Sequence, residues 1–159
     1  MRVFITGAKG QLGREFCSLL QDHHIPHLAT GREDFDIVDA DQTLYAIRDY
    51  RPDLLINCAA YTQVDAAEDN EQLCMAVNVD GTANIARACL ACGAAMMSFS
   101  TDYVFDGIKE LPYEVDDPIN PLSVYGQSKA LGEHQVRANL DRHYIIRTSW
   151  LFGKYGMNF

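Results

Sequence analysis

Met1-Arg2-Val3-Phe4-Ile5-Thr6-Gly7-Ala8-Lys9-Gly10-Gln11-Leu12-Gly13 opens the chain. It reads as a short apolar strand over residues 2–6, a turn with the spacing G-x-x-G-x-x-G, and the start of a helix over 11–22. The first glycine permits a tight turn, the second lets backbone approach an anionic ligand, and the third lets the helix pack close on the strand. Free N–H groups at the first turn of such a helix point outward and favour a pyrophosphate. A glycine triplet alone is weak evidence. Its place between a strand and a helix, with a second strand–helix unit following, makes it a dinucleotide-binding signal.

Outward from that turn the pattern repeats. Short β-rich runs near 26–30, 53–58, 94–99 and 143–148 alternate with helical stretches near 40–50, 66–92 (with a break in it) and 123–140. All five strands are apolar, as strands buried on both faces should be. The alternation predicts an α/β fold, a doubly wound parallel sheet of Rossmann type. Pro52 marks the boundary after the second helix, and Gly93 sits where a C-cap belongs. Residues 106–121 hold three prolines and a glycine and read as a surface loop. No repeat or linker divides residues 1–159, which read as one cofactor-binding domain. Residues 144–153 look like a strand and the turn after it, and the chain then stops at Phe159 without a closing helix. It reads as cut before a C-terminal substrate region.

The 159 residues carry a net charge of −9. That balance speaks against nucleic acid or an anionic membrane surface as partner, though not against a small anion held locally. There is no room for a signal peptide before the first strand and no apolar run long enough to span a bilayer, which predicts a cytoplasmic protein. Five cysteines are scattered. Cys89 and Cys92 form C-x-x-C inside an apolar helical stretch with no second pair and no nearby histidine, so helix packing is the better reading than redox or zinc chemistry. His23, His24 and His27 fall at a helix end and loop, where solvated histidines are the rule.

Two further features carry chemistry. The end of the second strand reads Ala29-Thr30-Gly31-Arg32, with no carboxylate placed to grip a ribose 2′-hydroxyl. Arg32 is at hand for a 2′-phosphate, which favours NADPH over NADH; a solvated surface arginine is the competing reading. Tyr125-Gly126-Gln127-Ser128-Lys129 puts Tyr125 and Lys129 on one helix face, one turn apart. A tyrosine titrates near roughly 10, and an adjacent ammonium would favour its phenolate and lower that value. Thr101, at the carboxyl end of the fourth strand, is the candidate third hydroxyl, because open α/β sheets bind ligands there. Together the three suggest proton transfer to or from a substrate oxygen.

The chain resembles the dTDP-4-dehydrorhamnose reductase family, a branch of the extended short-chain dehydrogenase/reductases. The residues that carry the resemblance are Asn57 to Glu68 (NCAAYTQVDAAE), Asn78 to Thr82 (NVDGT), Ser100 to Gly107 (STDYVFDG), Tyr125 to Lys129 and Arg147 to Trp150 (RTSW). The resemblance implies Gly7, Gly10, Gln11 and Leu12 at the cofactor pyrophosphate, with Gly13 completing the turn, and Asp36 and Ile37 flanking the adenine. It implies Ala59, Ala60 and Thr62 along the ribose and nicotinamide side. Thr101, Tyr125 and Lys129 are implied as the catalytic set, and Thr101, Asp102 and Trp150 as contacts to a nucleotide-sugar substrate. Hydride would pass to C4 of a 4-keto sugar while Tyr125 gives a proton to its oxygen. Glu15 matches a position that in some members helps bind magnesium at a homodimer contact; its other ligands would lie outside this chain, so no metal site is assigned. Two alternatives stay open. A sugar-nucleotide dehydratase or epimerase has the same fold, but the dehydratases follow the threonine with Asp-Glu, whereas Tyr103 follows Asp102 here. A non-catalytic regulatory subunit like that of methionine adenosyltransferase keeps much of the same motif set.

Overall fold

The computed structural model describes residues 1–156; the chain end at Phe159 lies outside them. The elements run β1 (Val3–Thr6), α1 (Gln11–Asp22), β2 (His27–Ala29), α2 (Ala40–Tyr50), β3 (Leu54–Asn57), α3 (Val64–Asp69), α4 (Glu71–Met75), a π-helical stretch (Ala76–Gly81), α5 (Thr82–Cys92), β4 (Ala95–Thr101), a single 3-10 turn (Asp102–Val104), α6 (Val124–Asn139) and β5 (His143–Thr148). The five strands form one parallel sheet in the order β2-β1-β3-β4-β5. The order reverses between β1 and β3, so the carboxyl ends of those two strands flank the crevice where such sheets take ligands.

Side-chain alternation divides the core. Phe4, Leu55 and Met96 stand in register across β1, β3 and β4 and pack with Ile47, Ile85 and Val136 from α2, α5 and α6. Val3, Ile5 and Ile56 point to the opposite face, where Leu20 and Phe16 of α1 cover them. The sheet is therefore doubly wound. α2 opens on Asp39, whose carboxylate accepts from the N–H groups of Asp41 and Gln42, and it stops at Arg51 before Pro52. α5 ends on Gly93 in the left-handed region.

Four expectations are modified. The helical stretch expected at 66–92 begins at Val64 and is broken twice, at Asn70 and by the π-helical stretch. β4 runs on to Thr101, because Ser100 and Thr101 pair with Arg147 and Thr148 of β5. Burial on both faces holds for the central strands but not for the edges. Leu28 in β2, and Tyr144 and Ile146 in β5, are exposed, since an edge strand receives cover from fewer neighbours. His27 lies in β2, rather than in a loop. The 106–121 segment is a loop, tied internally by Asp106, which accepts from the Tyr113 hydroxyl and the Asn120 amide. Cys89 is buried and Cys92 packs against the same core, and burial pushes the Cys89 thiol up to about 12, so this pair is packing. No helix among the described residues is long and apolar enough to cross a membrane.

Candidate active site

The turn after β1 is built by exclusion. Gly7 has φ +64°, and a Cβ there would lie 2.6 Å from the backbone of Cys58 and Ala59 at the end of β3. Any side chain would push the two strand ends apart. A Cβ on Gly13 would run into the Gly7 carbonyl and the backbone of Ala8, so α1 can start this close to the turn only with glycine there. Gly10 is the N-cap of α1 and supplies no side-chain cap, which leaves the first-turn donors to water or a ligand.

Two asparagines shape the wall opposite. Asn57 accepts from the Thr6 hydroxyl at 2.7 Å and from the Ala59 N–H at 3.1 Å, joining the ends of β1 and β3. Asn78, buried in the π-helical stretch, accepts from the Tyr61 N–H at 2.9 Å and donates to the Tyr61 carbonyl at 3.0 Å and to Ser128 Oγ at 2.8 Å. The 59–62 strip is thereby held from both sides. The sequence quoted both asparagines within longer motifs but gave neither a role, because their partners lie far off in the chain.

Two cavities, of about 450 and 480 Å³, open on this frame. Gly7, Arg32, Asp36 and Ile37 line the first, and Gln11, Leu12, Thr101, Asp102, Tyr125, Lys129 and Trp150 line the second. Gly10, Ala59, Ala60 and Thr62 line both, so the two are contiguous. Of the positions expected to bind cofactor or substrate, all but Gly13 line one cavity or both. Asp36 turns its carboxylate onto the Val38 N–H at 3.0 Å, and Asn84 holds the Ile37 and Val38 carbonyls. Arg32 is exposed at the rim, followed by two engaged carboxylates: Glu33 pairs with Lys9, and Asp34 accepts from the Gly31 N–H at 2.7 Å.

Ser123 caps α6 by accepting from the Gly126 N–H, which sets Tyr125 in the first helical turn. Thr101 ends β4; its hydroxyl donates to Asp102 at 3.0 Å and accepts from the Tyr103 N–H at 3.2 Å. Lys129 Nζ donates to the Phe99 carbonyl at 2.7 Å. Burial raises the Tyr125 hydroxyl above its usual value, against a hydrogen bond with the Thr101 side chain that lowers it. Burial pulls Lys129 down to about 8, with the Glu133 charge opposing. The expected lowering of Tyr125 by Lys129 is thus not what this structure has: the ammonium is committed to a β4 carbonyl, and desolvation of the phenol dominates. Cys58 lines both cavities, but burial pushes its thiol up to about 12, which removes it as a nucleophile. No group of three or more His, Cys, Asp or Glu side chains among the described residues is placed to hold a metal ion. Glu15 accepts from the Lys154 N–H at 2.9 Å.

A family described as the RmlD substrate binding domain matches residues 1–159. The dTDP-4-dehydrorhamnose reductase of Streptomyces griseus is 45% identical over 159 residues, an alignment covering 99% of this chain and 52% of the relative. That of Aggregatibacter actinomycetemcomitans is 44% identical, covering 99% and 54%. Among solved structures, the dTDP-4-dehydrorhamnose reductase from Bacillus anthracis in complex with NADP superposes with a TM-score of 0.96 at 39% identity, covering 99% of this chain and 56% of its own. The chain spans about half the length of the curated relatives it matches.

Proposed function

The chain belongs to the RmlD substrate binding domain family, and on that premise we propose that residues 1–159 form the nicotinamide-nucleotide part of a reductase. The reaction proposed is conversion of dTDP-4-dehydro-L-rhamnose to dTDP-L-rhamnose with NADPH as the preferred hydride source. The observation that carries the reading is one cavity bringing Thr101, Tyr125 and Lys129 together with the first turn of α1. The side-chain-free cradle at Gly7 and Gly13 and the uncapped α1 fit a dinucleotide's pyrophosphate. The NADP bound to the Bacillus anthracis relative supports the cofactor class.

A bound nicotinamide dinucleotide supplies the hydride; the protein supplies placement and charge. Gln11 and Leu12 offer main-chain N–H groups to a pyrophosphate lying against Gly7 and Gly10, whose own N–H is held by the Gly7 carbonyl; Asp36 and Ile37 flank the adenine, and Arg32 faces the 2′-phosphate. Ala59, Ala60 and Thr62 line the ribose and nicotinamide side. Tyr125 carries its proton at neutral pH, as a phenol does, with burial holding the hydroxyl above its usual value, and gives that proton to the 4-keto oxygen as the oxygen gains charge. Thr101 hydrogen-bonds the same oxygen. Lys129 holds the ribose. Asp102 and Trp150 contact the sugar nucleotide. Dehydration is disfavoured, because the residue after Asp102 is Tyr103, whose ring packs edge-on against Tyr125 at 5.8 Å.

The test is an assay of the protein that carries this chain with NADPH and dTDP-4-dehydro-L-rhamnose. The reading requires one NADPH oxidised for each dTDP-L-rhamnose formed. Cofactor binding without any turnover would replace it with a non-catalytic binding role.

A further inference from the structure

Glu133 is a carboxylate sealed from solvent, 3% exposed, on α6 one turn past Lys129 and two past Tyr125. Arg147 of β5 grips both its oxygens, Nε to Oε1 at 2.8 Å and Nη2 to Oε2 at 2.8 Å, and Arg137 donates to Oε2 at 3.0 Å. Arg147 also donates to the Val115 carbonyl at 3.1 Å and stands over the Phe105 ring. One buried carboxylate thus joins the helix bearing Tyr125 and Lys129 to β5, whose end leads into Trp150, and to the loop after β4. Nothing in the roles given above uses it. Buried ion pairs are often no more stabilising than apolar side chains of similar volume, so fold stability is a weak reason for this one.

We infer that Glu133 is a positioning residue: through Arg147 it fixes α6 against β5, holding Lys129 on the Phe99 carbonyl and Tyr125 beside Thr101. Its negative charge also favours the ammonium form of Lys129. The inference rests on the reading of Tyr125 and Lys129 above for its meaning in turnover, but its geometry and its test do not. The groups facing Lys129 are Glu133 from α6, Cys74 from α4 and the Phe99 carbonyl from β4, with Tyr125 in the same cavity. Arg147 and Arg137 stand behind Glu133, and Asp102 beyond Tyr125. Burial pushes the Glu133 carboxyl up, but the hydrogen bond from Arg147 leads the opposing influences and holds it below its usual value, so it is ionised wherever Lys129 titrates. Removing the anion should therefore lower the Lys129 titration.

The experiment follows the proton directly, by NMR titration of lysine labelled at Cε, with Lys129 assigned by the signal lost in Lys129→Met. The wild type should titrate near 8. Glu133→Gln should move the midpoint down, while Glu133→Asp and Arg147→Lys, which keep the charges, should stay near wild type. Turnover of Glu133→Gln should fall about ten-fold or more, the scale of a misplaced reacting group. A role confined to holding the fold would weaken Glu133→Gln without moving the midpoint, and that result overturns the inference. If Glu133→Gln does not fold, its combination with Arg147→Met removes both buried charges; Glu133 bears on Lys129 directly and Arg147 stands behind it, so a smaller downward movement is expected, and an unmoved or raised midpoint overturns the inference. Midpoints moving as stated in a wild type that shows no turnover would overturn the reductase reading alone.

Discussion

In the proposed reaction Tyr125 gives its proton to a ketone, and a phenol carries that proton at neutral pH; burial holds this one above its usual value. Tyr125→Phe removes the proton while keeping the ring's edge-on contact with Tyr103. Turnover should fall by roughly two or more decades, the range of general acid catalysis, with NADPH affinity little changed. Near-normal turnover in steady-state kinetics would remove Tyr125 from the mechanism. Arg32 stands at the rim of the first cavity with Glu33 tied to Lys9 beside it. Arg32→Asp should shift the ratio of kcat/KM from NADPH towards NADH by adding repulsion against the 2′-phosphate; an unchanged ratio makes Arg32 a surface residue. Tyr125, Lys129 and the glycines were legible because each signal is a local spacing. Glu133, Asn57 and Asn78 were not, because their meaning depends on Arg147, Thr6 and Tyr61, residues joined to them only by the fold.

Helix α6, which bears Tyr125 and Lys129, is pressed closer to its neighbours than a helix with side chains all round could be. A Cβ on Gly132 would meet the Asn78 carbonyl at 2.6 Å, and one on Gly126 would strike the Tyr103 carbonyl. Gly132→Val should force α6 off the π-helical stretch and cost about 1–3 kcal/mol, as overpacking does, read as a lower denaturant midpoint at unchanged slope. A variant as stable as wild type would show that the contact relaxes without strain. The order and type of elements followed from alternating strand and helix patterns. Two things at this scale did not. The π-helical stretch holds Asn78, which reaches Tyr61 and Ser128, and the exposure of Tyr144 and Ile146 follows from β5 standing at the sheet edge, a property of topology and not of the strand's own composition.

Across the molecule, a chain of net charge −9 presents an uncapped helix terminus and a glycine cradle at the switch between β1 and β3. The overall charge speaks against long polyanions as partners but leaves this local anion site intact. Every residue proposed to touch the dinucleotide lies within residues 1–159, whereas the chain covers only about half of its curated relatives. Binding and turnover should therefore separate in this chain. The direct measurement is calorimetric titration of residues 1–159 with NADPH, followed by an assay of the same sample with dTDP-4-dehydro-L-rhamnose. The account predicts saturable binding of one NADPH per chain, lost in Gly7→Val, with no turnover of the sugar nucleotide. A folded chain that takes up no NADPH would contradict it.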